Sequence, residues 1–159
     1  MASLPKPRLR RAARTTAAVP HARVEHEHPS AQVVEGGPTE GRLRWINIER
    51  PRPIDRTWLE EHFEFHPLDY EDVYSRNQRP KIDEYDEYLF IVLHFPIYDK
   101  QQGRLKATEL DIFIGPDFVI TLPNEPLKPL QFLFERCRDS EELREQLFSK
   151  GSGYLLYKI

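Results

Sequence analysis

The sequence predicts an α/β fold in which an antiparallel meander of strands is covered by further layers on both faces. Three observations predict it. Residues 88–94 (YLFIVLH) are apolar at nearly every position, as in a strand buried on both faces. Residues 105–114 alternate, with Leu110, Ile112 and Ile114 on one side and Glu109 and Asp111 on the other. Gly115-Pro116-Asp117 then has the composition of a tight turn into a return strand over 118–122. Helical spacing brackets this core: Leu130, Leu133, Phe134 and Cys137 fall at i, i+3, i+4 and i+7.

Length and composition suit one soluble globular unit with a tail. The chain has 159 residues, 39% hydrophobic and 31% charged, with a formal net charge of −3. The charge is unevenly spread. Residues 1–24 carry six basic groups (Lys6, Arg8, Arg10, Arg11, Arg14 and Arg23) and no acid. From Gly41 onward there are 17 basic and 22 acidic residues, a balance that argues against a nucleic-acid-binding core. Cys137 is the single cysteine, which excludes a disulfide framework and points to a reducing compartment. No window approaches 18 uninterrupted apolar residues, so no stretch reads as a membrane span.

Residues 1–40 read as a disordered basic tail, rich in Arg, Ala, Pro and His and without a hydrophobic period. The α/β domain is placed at 41–153. Residues 41–49 (GRLRWINIE) read as a strand stopped by Pro51 and Pro53. A helix follows over about 55–65, with Asp55 or Thr57 as its cap and Leu59, His62 and Phe63 on one face. Pro67 suits the first position of a second helix, whose Tyr70, Val73 and Tyr74 gather on one side. Arg76, Gln78, Arg79 and Lys81 form a polar turn around Pro80, with Arg79 or Lys81 available to acids before or after it. Residues 139–148 read as a further helix, and Gly151-Ser152-Gly153 breaks it. Residues 154–159 (YLLYKI) open another helix that stops mid-pattern, so the chain is expected to be cut from something longer.

The chain shows no Gly-rich phosphate loop, no G-x-S-x-G and no H-E-x-x-H, so nothing suggests an enzyme. The carboxylates that stand out are Glu71 and Asp72. Mg²⁺ takes oxygen ligands and keeps several waters, so one or two carboxylates suffice to hold it. Neighbours on a helix project about 100° apart and do not face each other. Glu71 and Asp72 therefore need oxygens from another segment or subunit to complete a site; otherwise they are a solvated helix face. Cys137 and His94 read as core residues.

Five segments in order carry a family resemblance: Trp45-Ile46-Asn47-Ile48; His66-Pro67-Leu68 with Glu71-Asp72; Arg79-Pro80-Lys81; Tyr85, Tyr88 and the run Phe90-Ile91-Val92-Leu93; and Tyr154-Leu155-Leu156-Tyr157. Together they resemble the cytoplasmic N-terminal domain of CorA-like magnesium and cobalt transporters, over about residues 43–159. The resemblance implies a three-layer α/β/α sandwich with a mixed sheet, on the cytoplasmic side of the cell membrane. It implies a homopentamer, with the domain joined to a stalk and two membrane helices. It implies a regulatory Mg²⁺ bound between neighbouring domains, with Glu71 and Asp72 as its ligands, and Trp45, His66, Pro67, Arg79, Pro80 and Lys81 as motif residues. Met1 is the sole methionine, so the family's Gly-Met-Asn pore motif does not occur in these residues, and the chain is expected to be a fragment without the pore. The alternatives are the corresponding domain of a zinc-transporting relative and a free-standing interaction domain of the same fold.

Overall fold

In the computed structural model, residues 28–38, 42–75 and 78–159 are described. Six strands form one sheet: β1 Gln32–Gly36, β2 Leu43–Asn47, β3 Lys81–Glu84, β4 Leu89–Asp99, β5 Arg104–Ile114 and β6 Phe118–Pro123. Five helices complete the fold: α1 Pro53–His62, α2 Pro67–Tyr74, α3 Lys128–Asp139, α4 Glu141–Phe148 and α5 Ser152–Lys158. The strand order is β1-β2-β6-β5-β4-β3. Strands β4, β5 and β6 pair antiparallel as a meander. Strand β2 runs parallel to β6, which makes the sheet mixed.

Strand alternation divides the core in two. Leu110, Ile112 and Ile114 of β5 face one side with Trp45, Ile91 and Val119. There they meet Leu130, Phe134 and Cys137 of α3, Phe148 of α4 and Leu155 of α5. Phe113 faces the other side with Ile46, Phe90 and Ile120, under Leu59 of α1 and Tyr70 and Val73 of α2. The three-layer α/β/α sandwich follows from these two apolar faces. Cys137 is buried on the first face, as its spacing predicts.

Two strands fall where the sequence reads otherwise. The first, β1, lies inside the stretch assigned to the disordered tail; residues 1–27, 39 and 40 of that stretch lie outside the described residues. An edge strand needs only one dry face, and here Val34 alone supplies a buried apolar side chain. Gly36 lets α4 approach, since a Cβ there would sit 2.7 Å from Arg144 Cγ, and Glu145 Oε1 accepts from the Gly37 amide at 3.0 Å. The second, β3, replaces the tail of the polar turn after Pro80. It too is an edge strand, and Ile82 on its outer side is exposed. At the other end, Leu155 is fully buried, so the start of α5 packs into the core of the domain, while Tyr157 is exposed.

Helix α1 begins earlier than the spacing suggests. Pro53 takes its first turn, and Asp55 Oδ2 accepts from the Arg52 amide at 2.9 Å. Strand β4 also runs past His94. Beyond the reach of β3 and β6, residues 94–99 and 104–109 pair only with each other, as a two-stranded ribbon that leaves Tyr98 and Leu105 exposed.

Candidate metal centre

Helix α2 carries the candidate carboxylates, and its start is over-determined. His66 is the N-cap: its Nδ1 accepts from the Leu68 amide at 3.2 Å, and its own amide donates to the Tyr88 hydroxyl at 2.7 Å. Pro67 follows at the first helical position, where no amide donor is needed. Tyr70 anchors the buried side by donating to Phe63 O at 2.9 Å.

Asp69, Asp72 and Asp83 each bring a carboxylate oxygen within 4.8 Å of the others. Their environments differ. Asp69 is 1% exposed and engaged on both oxygens, by Tyr85 Oη at 2.9 Å and Tyr88 Oη at 2.7 Å. Burial first, and then the Asp69 carboxylate, pushes the Tyr85 hydroxyl up to about 12 and raises Tyr88 further. Asp69 is thus a structural acceptor, and the tyrosines keep their protons.

Asp72 is half-buried, and its Oδ2 lies 2.6 Å from Lys81 Nζ. The same ammonium lies 2.5 Å from Asp83 Oδ2 and 5.4 Å from the centre of the Phe90 ring. Partial burial works against the Lys81 charge, but the hydrogen bonds and charges of Asp72 and Asp83 outweigh it and raise its pKa. Lys81 therefore pairs with an acid before it and one after it. Glu71 is exposed and is not part of this group. Arg79 and Pro80 are exposed as well.

A cleft of about 1000 Å³ opens beside the end of α2, lined among others by Arg50, Gln78, Arg79, His94, Glu109 and Asn124. Glu109, 7% exposed, accepts from the Gln78 amide at 3.0 Å and from Asn124 Nδ2 at 2.8 Å. His94, read from the sequence as a core residue, is instead exposed, because β4 has by then run past the covered part of the sheet; its Nε2 lies 3.7 Å from Glu109 Oε2. Lys81, Val92 and Asp111 stand in one row across β3, β4 and β5. Asp111 is fully buried, and neither oxygen has a hydrogen-bond partner. Burial, with the charges of Glu109 and Asp72 added, pushes its carboxyl up to about 8, and Lys81 only partly offsets this.

Of the motif residues, Trp45 sits deep in the sheet, with Nε1 donating to Thr121 Oγ1 at 3.1 Å and its ring edge-on to Phe134. Three acidic residues of this region, Asp69, Asp83 and Asp111, are not among the ligands that the resemblance implies. Two signals point to the first two: Asp69 is three residues from Asp72, hence on its helical face, and Asp83 is two residues from Lys81, hence on its strand face. For Asp111, which the β5 alternation turns toward the α1 and α2 side, spacing carries no sign that the carboxyl lacks a partner.

Residues 40–159 match the family model of the CorA-like Mg²⁺ transporter protein. The chain is 34% identical over 115 residues to YfjQ of Bacillus subtilis, provisionally named a metal ion transporter, covering 72% of this chain and 34% of that protein. It is 30% identical over 118 residues to the cobalt/magnesium transport protein CorA of Thermotoga maritima, covering 72% of this chain and 32% of that one. The chain therefore spans about a third of the length of the curated relatives it matches. The soluble domain of CorA from Methanocaldococcus jannaschii superposes with a TM-score of 0.60 at 20% identity, over 73% of this chain and 44% of that one. At that identity the likeness establishes the fold. Among the described residues no helix is long and apolar enough to cross a membrane.

Proposed function

The chain belongs to the CorA-like Mg²⁺ transporter family, and from that premise we propose that it is the cytoplasmic regulatory domain of a divalent-cation transporter, sensing Mg²⁺ through Glu71 and Asp72. The observation that carries this reading is the end of α2, where a half-buried and an exposed carboxylate stand side by side within the matched region. The donor chemistry fits. Mg²⁺ is a hard cation that favours carboxylate oxygen, dehydrates reluctantly and uses few protein ligands. Glu71 is free to face a neighbouring copy, while Asp72 stays rooted beside β3. A bound Mg²⁺ would supply a positive bridge between two acidic surfaces that otherwise repel.

The energetics suit a gate built from weak sites. Metal that binds only the closed arrangement stabilises it by RT ln(1 + [L]/Kd), about 1.4 kcal/mol per site at tenfold excess over Kd. In a homopentamer, five such sites add to about 7 kcal/mol, provided that open subunits do not bind. Single sites of low affinity can thus switch a ring sharply.

The test is limited proteolysis of the intact protein with and without millimolar Mg²⁺, reading cleavage near Asp72 and after Gly153. Protection by Mg²⁺ is expected. A folded domain cut at the same rate in both conditions would reduce Glu71 and Asp72 to a solvated helix face.

A further inference from the structure

We infer that Lys81 is a tethered cation that competes with Mg²⁺ for Asp72 and so sets how much Mg²⁺ the site requires. The inference rests on the metal reading of Asp72 given above. Its basis is geometric. Asp72 Oδ2 lies 2.6 Å from Lys81 Nζ, at the distance of a strong charge-assisted hydrogen bond. An oxygen so engaged cannot also serve as an unhindered metal ligand, and a divalent ion brought to it would meet the ammonium at close range.

The surroundings make the competition reversible. The Lys81 side chain is 33% exposed and that of Asp72 is 21% exposed, so the pair can part without burying a bare charge. Asp83, 2.5 Å from the ammonium, and the Phe90 ring hold Lys81 nearby when Asp72 is taken. Asp69 offers no alternative seat, because both of its oxygens are occupied by tyrosine hydroxyls. The lysine therefore has one shared carboxylate, Asp72, and one it keeps, Asp83. Tethering gives it a high effective concentration at Asp72, so free Mg²⁺ must rise before it wins. The threshold is set within the chain itself.

The sign of one substitution separates this role from a structural one. If Lys81 merely props Asp72 in place, removing its charge weakens metal binding or leaves it unchanged. If it competes, removing its charge tightens binding. The experiment titrates Mg²⁺ calorimetrically into the intact protein as wild type, Lys81→Gln, Lys81→Arg and Asp72→Asn, with circular dichroism melts to confirm folding. Lys81→Gln is expected to bind Mg²⁺ about fivefold more tightly, the factor that corresponds to losing a partly exposed ion pair. Lys81→Arg, which keeps the charge, is expected to stay near wild type, and Asp72→Asn to lose the binding. Equal or weaker binding by Lys81→Gln, with Asp72→Asn still defective, would overturn the competition and leave the metal reading standing. Binding unaffected by Asp72→Asn, or absent from every variant at millimolar Mg²⁺, would overturn the metal reading and the competition with it.

Discussion

The Ser30 amide donates to Asp55 Oδ1 at 2.5 Å, and the Ser30 hydroxyl donates to the same oxygen at 3.0 Å. This relationship ties the stretch before β1 to the first turn of α1. The other oxygen, Oδ2, accepts from the Arg52 amide at 2.9 Å and lies 3.3 Å from Arg52 Nε. Asp55 is fully buried, so each of these donors answers a charge that has lost its water. Burial works to raise its pKa, and the bonds from Ser30 and Arg52 together outweigh it and lower it. The folded state therefore holds the proton less well than the unfolded state. The stability from Asp55 is present above its unfolded value of about 3.9 and is lost as pH falls through the lower folded one. Asp55→Asn is expected to cost about 2–4 kcal/mol at pH 7 and to reduce the steepness of acid unfolding below about pH 4. Urea melts at pH 7 and pH 3 measure both.

Asp111 has the opposite sign. Its carboxyl is pushed up to about 8 by burial and by Glu109 and Asp72, with Lys81 opposing. Between its unfolded value of about 3.9 and 8, the folded state holds a proton that the unfolded state releases. This contribution is complete below about pH 4 and is lost as pH rises toward 8, at up to about 1.4 kcal/mol per pH unit. Asp111→Asn keeps the shape and removes the titration. The variant is expected to melt higher than wild type at pH 8, with the gain shrinking toward pH 5. A variant that melts lower than wild type at both pH values would refute this account.

In the sheet, Trp45 Nε1 donates to Thr121 Oγ1, which in turn donates to Asn47 Oδ1 at 2.8 Å. The network joins β2 to β6 at the parallel pairing, inside the core. Trp45→Phe removes the donor and leaves a gap beside Phe134, while the Thr121 hydroxyl keeps Asn47 Oδ1 as its acceptor. A loss of about 2–4 kcal/mol is expected from the lost hydrogen bond and the cavity combined. Thr121→Val in the Trp45→Phe background is expected to add to the loss, because it takes from the buried Asn47 Oδ1 the hydroxyl that donates to it. Chemical denaturation of the two variants and the double mutant forms the cycle that checks it.

The legible part of this fold is the part governed by strong periodicity. The run over 88–94, the alternation of β5 and the i, i+3, i+4, i+7 stripe of α3 each reflect a buried face that a long element must supply, and all three are where the spacing puts them. Strands β1 and β3 lie at the two sheet edges, where a few residues with one dry face suffice and local spacing carries little signal. At the candidate site, the sequence marks Asp72 and allows Lys81 an acid on either side. It does not mark Asp111, because an unpartnered buried carboxyl is a property of what the neighbouring strands fail to offer. Nor does it separate Asp69 from Asp72: both are aspartates on one helix, and only Tyr85 and Tyr88, arriving from beyond the β3 strand, assign them different work.

That division gives a last prediction. Asp69 and Asp72 sit three residues apart on α2, one buried with two hydroxyl donors and one half-buried against an ammonium. Asp69→Asn leaves a buried amide facing two donors, of which its oxygen can satisfy only one fully. It is expected to lose about 2–3 kcal/mol of stability. Asp72→Asn breaks a partly exposed ion pair whose ammonium still has Asp83, so it is expected to lose less than about 1 kcal/mol. Mg²⁺ protection against proteolysis should show the reverse order: retained by Asp69→Asn below its lowered melting temperature and lost by Asp72→Asn. If the two variants instead lost stability and Mg²⁺ protection in parallel, the metal effect would be a by-product of a loosened α2, and Asp72 would have no ligand role of its own.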